Sequence, residues 1–253
     1  MTARRLWALD GARLTMDRAE MLDGVAPGPV TLVVPSFLIE HDHGLVLFDT
    51  GLAPEAAVDA QAAYGEIGRQ IAFAPEKRVD RQLESFGFAP SQVTHVVVSH
   101  VHFDHTGGLR LFPRARFLLG EGDRAAVDDP EGSDLARAED LAPVRESDWT
   151  FVEGDLDLFG DRSVVMLAMP GHTPGNTSLL VRFPGRTMLL TGDTAHLRSA
   201  VETPAPMGAD TDPNAAVASL HRVRALAEEE HAEVWVAHDP DDWTHFCGPG
   251  RIV

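Results

Sequence analysis

The sequence predicts an α/β protein, and three observations support that prediction. Short apolar runs of strand length, rich in Val and Leu, recur along the chain and are separated by stretches of helical or turn character. Gly, Pro and Asp punctuate the ends of these runs. Several of the runs also end in a His or an Asp, and in layered α/β folds the carboxyl ends of the strands converge on one crevice.

The predicted strands begin with a hairpin, which we expect to open the sheet. They cover residues 31–38, 44–49, 93–99, 116–120, 163–169, 178–183, 187–191 and 233–237. Pro35 lacks a backbone donor, so it predicts an edge or a bulge in the first strand. Residues 52–76 should form a loop and a short helix over the sheet, and residues 121–150 helical pieces and loops on the outside.

Two longer helices are predicted. One covers residues 76–87 and would place Val79, Leu83 and Phe86 on a common apolar face. The other runs from Pro213 to about residue 230, because Asp212 is a good N-cap and proline is favoured at the first helical position. A chain of 253 residues can bury an ample core, and we expect one domain spanning residues 1–253.

Composition excludes several classes of partner. The chain has 21 Lys and Arg against 39 Asp and Glu, a formal net charge of −18, so we expect no nucleic-acid partner. No apolar stretch is long enough to span a bilayer, and we expect no membrane association. The single cysteine, Cys247, permits no internal disulfide and no thiolate-rich metal site, which suits a cytoplasmic protein.

The segment from Val96 to Gly108 carries the strongest chemical signal. After three valines, it presents His100, His102, Asp104 and His105 within six residues, and two glycines then let the backbone turn tightly. Neutral imidazole is the commonest protein ligand for zinc, and carboxylate oxygen is another. The alternative is a histidine-rich surface loop.

Later strand ends favour a metal site over a surface loop. His172 lies in a rigid Gly and Pro segment after one strand, Asp193 follows another, and His238 follows the last. Asp49 ends the second predicted strand, where it could orient a ligand histidine or serve as an ordinary turn residue.

These residues resemble those of the metallo-β-lactamase superfamily. The His-x-His-x-Asp-His signature stands at residues 100–105, and His172, Asp193 and His238 follow in the order of that family. Within the superfamily, the chain most resembles the N-acyl homoserine lactonases, over residues 45–51, 99–108 and 173–179 among others. The resemblance implies a four-layer αβ/βα sandwich, in which two mixed sheets are flanked by helices and the metals lie at the ends of the sheets.

The resemblance also implies a centre of two divalent metal ions, zinc first, with iron, manganese or cobalt as other choices. The first ion would be held by His100, His102 and His172, the second by Asp104, His105 and His238, and Asp193 would bridge them. The implied function is the opening of a lactone, such as an N-acyl homoserine lactone, or a related ester by a metal-bridging hydroxide. The partner would be that small-molecule substrate, and the enzyme would be a monomer or a homodimer.

One position departs from the lactonases. They carry a tyrosine three residues after the bridging aspartate, where this chain has His196. We expect Asp104 to carry the proton and His196 to hydrogen-bond the substrate or act as an acid.

Other functions of the same fold stay open. The alternatives are an arylester or organophosphate hydrolase and a metal-binding relative that is not a lactonase. For residues 52–76, which include Tyr64, Ile71 and Phe73, packing and a pocket wall are equally good interpretations. Met207 would belong to the same apolar end of the pocket. We expect surface or cap positions for the remaining histidines, which are His41, His43, His95, His221, His231 and His245.

Overall fold

The computed structural model describes residues 2–247, which form two β-sheets and the helices around them. The strands within that range are β1 (Ala3–Asp17), β2 (Pro29–His41), β3 (Gly44–Phe48), β4 (Ile71–Ala72), β5 (Val93–Val97), β6 (Arg116–Gly120), β7 (Trp149–Val152), β8 (Leu156–Asp157), β9 (Val164–Ala168), β10 (Thr177–Phe183), β11 (Arg186–Leu190) and β12 (Glu233–Trp235). The α-helices are α1 (Arg18–Met21), α2 (Ala60–Tyr64), α3 (Val79–Ser85), α4 (Phe103–Thr106), α5 (Arg124–Asp128), α6 (Ala138–Leu141), α7 (Arg198–Glu202), α8 (Pro213–Glu229) and α9 (Pro240–Phe246).

The two sheets are both mixed. The larger sheet has the order β4-β1-β2-β3-β5-β6-β7, and its strands from β3 to β7 pair in parallel. The smaller sheet has the order β12-β11-β10-β9-β8 and is antiparallel except for the β11–β12 pair. None of the helices within residues 2–247 is both long enough and apolar enough to cross a membrane.

Strand β3 shows why the apolar runs of this chain lack a simple alternation. Val46 and Phe48 pack between the two sheets, whereas Leu45 and Leu47 pack on the other side, against residues of α3, α5 and α6. On the far side of the smaller sheet, Leu189 of β11 packs in the core that contains residues of α7 and α8. A sheet that is covered on both faces needs apolar residues on both, and the layers are helix, sheet, sheet and helix as predicted.

The N-terminal strand β1 corrects two of the predictions for the first sheet. The hairpin of β2 and β3 does not open the sheet, because β1 precedes it and pairs with β2 along nearly its whole length. Pro35 therefore lies in an internal strand, not at an edge. The predicted bulge is present, since Leu9 pairs with Ser36 and Ala12 with Val34, so two residues of β1 lie opposite Pro35.

The helical predictions were right in position and wrong in some details. Helix α8 spans Pro213–Glu229, and the side chain of Asp212 accepts hydrogen bonds from the backbone nitrogens of Asn214 and Ala215. Helix α3 is shorter than predicted, and Phe86 follows its end with 42% of its surface exposed, so Phe86 does not share the buried face. Strand β7 and helix α9 were not predicted.

Asp140 on α6 gives a prediction about stability. Its side chain accepts a hydrogen bond of 2.7 Å from the Arg137 guanidinium, while its Oδ2 is buried and has no hydrogen-bond partner among residues 2–247. Burial raises the pKa of this carboxyl from 3.8 to about 6, although Arg137 opposes the shift. The folded state therefore binds this proton more tightly than the unfolded state. The resulting stability is fully present below about pH 3.8 and is lost as the pH rises through about 6.

The variant Asp140→Asn, which has no charge at any pH, should therefore gain stability relative to the wild type as the pH rises. The expected gain between pH 4 and pH 7 is ~3 kcal/mol, from a shift of about two pKa units. Urea unfolding at several pH values measures it. Asp148→Asn, at an exposed aspartate, is the control and should track the wild type. A difference between Asp140→Asn and wild type that does not change with pH would contradict the prediction.

Candidate metal centre

The segment that follows β5 is held close to the segment that follows β3. A Cβ on Gly107 would lie 2.0 Å from the backbone nitrogen of Ala53, and one on Gly108 would lie 2.5 Å from the carbonyl oxygen of Thr50. Both glycines have negative φ angles, of −59° and −95°. The predicted turn is present at these two residues, but its backbone angles do not require glycine. The absence of side chains at Gly107 and Gly108 lets this segment contact the backbone of residues 50–53. The contact holds α4 and the histidines before it against the segment after β3.

Three histidines and one aspartate form the first donor group. His100, His102, His172 and Asp193 each offer a ligand atom, and these atoms lie within 4.8 Å of one another. His172 Nε2 is 2.9 Å from His102 Nδ1 and 3.4 Å from Asp193 Oδ2. His100 Nε2 is 3.6 Å from the same oxygen. The group joins the end of β5 to the loop after β9 and the turn after β11.

The second donor group consists of Asp104, His105 and His238. His105 Nε2 is 3.6 Å from Asp104 Oδ1, and His238 Nε2 is 3.8 Å from Asp104 Oδ2. His238 reaches the group from the end of β12, in the smaller sheet, whereas the other two lie on α4.

The carboxylate of Asp193 lies between the two groups. Its Oδ2 faces His100 and His172, while its Oδ1 is 3.2 Å from His105 Nε2 and 2.8 Å from His238 Nε2. One oxygen thus faces each group, so the structure brings together the seven residues that the resemblance assigned to the metals.

The buried donor atoms fit cations. The Nε2 atoms of His100, His105 and His238 and the Oδ1 of Asp193 are buried, and within the described residues none of them makes a well-directed hydrogen bond, although Asp193 Oδ1 lies close to two of the nitrogens. Buried polar atoms without partners are costly, and four of them that point toward a common space call for a bound group. Nitrogen and oxygen donors of this kind suit two divalent metal ions.

The electrostatics of the site agree with this conclusion. Burial, together with the nearby His172, lowers the pKa of His102 to about 4, so His102 is a neutral imidazole that can ligate a metal. Burial alone would lower the pKa of His105, but Asp193, Asp104 and Asp49 outweigh it and raise that pKa well above its usual value. The surroundings of His105 therefore stabilise a positive charge. Burial raises the pKa of Asp193, yet His105 and the other histidines hold it well below its ordinary range, so Asp193 is ionised.

Asp49 orients one of these histidines. Its Oδ2 is 2.9 Å from His105 Nδ1, and its Oδ1 accepts a hydrogen bond of 2.7 Å from the Ser99 backbone nitrogen. Asp49 has a positive φ of 62°, a conformation that aspartate tolerates better than most residues. Of the two sequence interpretations, orientation of a ligand histidine therefore describes the contacts, and a simple turn residue does not.

Asp210 makes the matching contact to the first group and was not predicted. Its Oδ1 lies 3.1 Å from His172 Nδ1, and its Oδ2 accepts a hydrogen bond from the Met207 backbone nitrogen. Asp210 lies in a loop, with no apolar run before it, so no sequence pattern marked it. His238 is oriented by the backbone instead, because its Nδ1 donates to the Val33 carbonyl oxygen at 2.5 Å.

His196 lies inside the same site. It is 7% exposed, and its Nε2 is 2.9 Å from Asp193 Oδ2. Burial lowers its pKa, although Asp193 opposes that effect. Its predicted contact with a substrate stays a prediction.

Asp239, directly after His238, caps α9, because its side chain accepts hydrogen bonds from the backbone nitrogens of Asp241 and Asp242. The prediction of a surface or cap position was wrong for His41, which is 5% exposed. Its Nε2 lies 3.0 Å from Asp161 Oδ2 and its ring stacks on Phe159 at 3.9 Å.

The chain belongs to the metallo-beta-lactamase superfamily, whose model matches residues 29–238. Within that superfamily, it is similar to proteins named N-acyl homoserine lactonase. It is 34% identical over 224 residues to the lactonase AttM of Rhizobium radiobacter, with 84% of each chain covered. It is 27% identical over 247 residues to the lactonase AiiA of Bacillus thuringiensis subsp. kurstaki, with 94% of each chain covered.

Solved structures give the same result. The chain matches a structure of an N-acyl homoserine lactone hydrolase, which contains the product N-hexanoyl-L-homoserine at its catalytic metal centre. The TM-score is 0.86 at 26% sequence identity, and 97% of each chain is covered. The predicted family and the predicted sandwich fold are thereby confirmed.

Asp49 and Asp210, which contact His105 and His172, should each affect the binding of a different metal ion. Replacing Asp49 by Asn removes the charge that orients His105, and replacing Asp210 by Asn does the same for His172. Each variant should bind one of two metal ions about 10- to 100-fold more weakly and keep the other. Metal content after dialysis against a chelator measures this. Asp212→Asn is the control, because Asn caps a helix as well as Asp does. Two ions retained as in wild type by both variants would refute the assignment.

Proposed function

We propose that this protein is a metal-dependent hydrolase that opens the lactone ring of N-acyl homoserine lactones or a related carboxylic ester. The observation that carries the proposal is the carboxylate of Asp193, with one oxygen toward each of two donor groups. The similarity to N-acyl homoserine lactonases across most of both chains supports the choice of substrate.

The proposed ligand sets follow the two groups. His100, His102 and His172 would hold the first ion, Asp104, His105 and His238 the second, and Asp193 would bridge them. We propose zinc for both, because histidine and carboxylate donors suit it. When bound, two such ions supply Lewis acidity and lower the pKa of a water molecule enough to make it a nucleophile at neutral pH.

The protein's own residues have separate tasks in this reaction. Water adds to the lactone carbonyl carbon, the ring C–O bond breaks, and the products are a hydroxyl group and a carboxylic acid that ionises. We propose that Asp104 takes the proton of the attacking water and returns it to the leaving oxygen. Its carboxylate oxygens are 3.6 Å from His105 Nε2 and 3.8 Å from His238 Nε2, so both face the space that the second group encloses.

A groove lined in part by Phe103 offers a place for an acyl chain. Its volume is about 330 Å³, and its apolar walls include Tyr64, Ile67, Phe103 and Leu135. The rings of Phe103 and Tyr64 lie 5.0 Å apart, and Phe103 stands between His102 and Asp104 in the chain. Tyr64 would then serve both as a wall of the groove and as a packing residue. The packing role is supported by its hydroxyl, which accepts a hydrogen bond from the Ala53 backbone nitrogen. We propose that this groove binds the acyl chain of the substrate.

We further propose that the protein works in the cytoplasm as a monomer or a homodimer, with a small molecule as its partner and without nucleic acid or membrane. The formal charge of −18 and the single cysteine support this proposal. Residues 1–253 would act as one domain, because residues from both sheets form a common core between them.

A pH-indicator assay tests the function, because ring opening releases one proton. The panel contains N-acyl homoserine lactones, aryl esters and phosphotriesters. We expect the highest kcat/KM on the lactones and a loss of about a hundredfold or more in Asp193→Ala and in His105→Ala, which remove ligands. Asp212→Asn is the control. Wild-type turnover in both variants would overturn the site, and preference for a phosphotriester or an aryl ester would overturn the substrate.

The groove gives a second expectation about the reaction. Each buried methylene is worth about 0.8 kcal/mol, so kcat/KM should rise about fourfold per methylene while the chain fills the groove. Leu135→Gln should reduce this gain and leave the shortest substrate unaffected. Val58→Gln, at an 89% exposed valine outside the groove, is the control. An unchanged dependence on chain length in Leu135→Gln would show that the chain binds elsewhere.

A further inference from the structure

His196 packs against the proposed metal ligands on two sides. Its ring is nearly parallel to that of His238, at 5.3 Å between centroids and 21° between planes. It meets the ring of His172 edge-on at 5.0 Å. With 7% of its surface exposed, the side chain is enclosed by the centre and has little contact with solvent.

The ring of His196 also directs a donor atom at the shared carboxylate. His196 Nε2 is 2.9 Å from Asp193 Oδ2, and His238 Nε2 is 2.8 Å from Asp193 Oδ1. One donor atom each from Asp193, His196 and His238 lies within 4.8 Å of the other two. Donors that share one zinc ion at about 2.1 Å are about 3 to 3.5 Å apart. The 2.8 and 2.9 Å separations are hydrogen-bond distances, and the three donor atoms need to move apart by only a few tenths of an ångström to share an ion.

We propose that His196 is a metal ligand in this chain and forms a third ligand group with Asp193 and His238. This group shares His238 with the second ion and Asp193 with both, so His196 would bind the second ion beside His238 and Asp193. The inference rests on the proposed metal centre but does not depend on which substrate the enzyme hydrolyses.

The chemistry of the side chain favours this role over contact with a substrate. Imidazole nitrogen is a strong ligand for zinc and cobalt, whereas the neutral phenol found here in the lactonases is a poor one. A histidine that only donated a hydrogen bond to Asp193 would position the carboxylate without touching an ion. A metal ligand needs a nitrogen lone pair at residue 196, whereas a hydrogen-bond donor to Asp193 needs only an N–H group. Substitutions can therefore separate the two roles.

The test uses the full chain loaded with Co²⁺, whose visible absorption reports on the ligands. His196→Gln keeps an N–H donor at a reach similar to Nε2, but its amide is a much weaker ligand for cobalt than imidazole. His196→Phe removes both abilities. If His196 is a ligand, both variants should bind one Co²⁺ about 10- to 100-fold more weakly in competition with a chelator, and both should change the absorption spectrum.

A positioning role would give a different result. His196→Gln would then match the wild type in affinity and spectrum, and only His196→Phe would be impaired, which would overturn the proposal. His221→Gln, at an exposed histidine of α8, is the matched control and should leave both readouts unchanged. If His196→Phe does not fold, as judged by circular dichroism, His196→Gln decides alone. None of these measurements uses a lactone, so failure of the proposed substrate would leave their outcome intact.

Discussion

The contact on which the site depends is the buried carboxylate of Asp193 among histidine nitrogens. A negative charge that is 4% exposed is stable only if positive charge faces it. His105 and His238 face one of its oxygens, and the proposed metal ions would supply that charge. Both of its oxygens are committed, one to each donor group. The four strand ends that deliver the donors must therefore meet within a few ångströms, and this requirement constrains the rest of the fold.

The sandwich meets that constraint through the core between its sheets. Phe48 ends β3 and Trp235 ends β12, and both are fully buried in that core, directly before the segments that carry Asp49 and His238. Packing at this density resists displacement, so ligands from different sheets are held in register. The aspartates behind the histidines then set the direction of each ring. The position of His196 shows how closely the layers meet, because its ring is in contact with histidines from two different loops.

Local signals predicted most of the secondary structure, and non-local contacts account for the errors. Asp212 and Pro213 marked the start of α8 because capping is decided within one turn. Strand β1 escaped prediction because Asp10, Gly11 and Arg13 interrupt its apolar pattern. Its long pairing with β2 stabilises it, and the bulge opposite Pro35 accommodates the residue that suggested an edge. His41 looked like a surface residue because its partners, Asp161 and Phe159, are more than a hundred residues away.

The sequence by itself determined the donor set: three histidines and an aspartate after one strand, and single donors after three others. Residue type and spacing are enough for that, because metal chemistry admits few side chains. Only the tertiary structure decided how the donors divide around Asp193, which aspartates orient the histidines, and that His196 faces the shared carboxylate. Those are distances between residues from separate strands, and they follow from how two sheets pack, which no local pattern encodes.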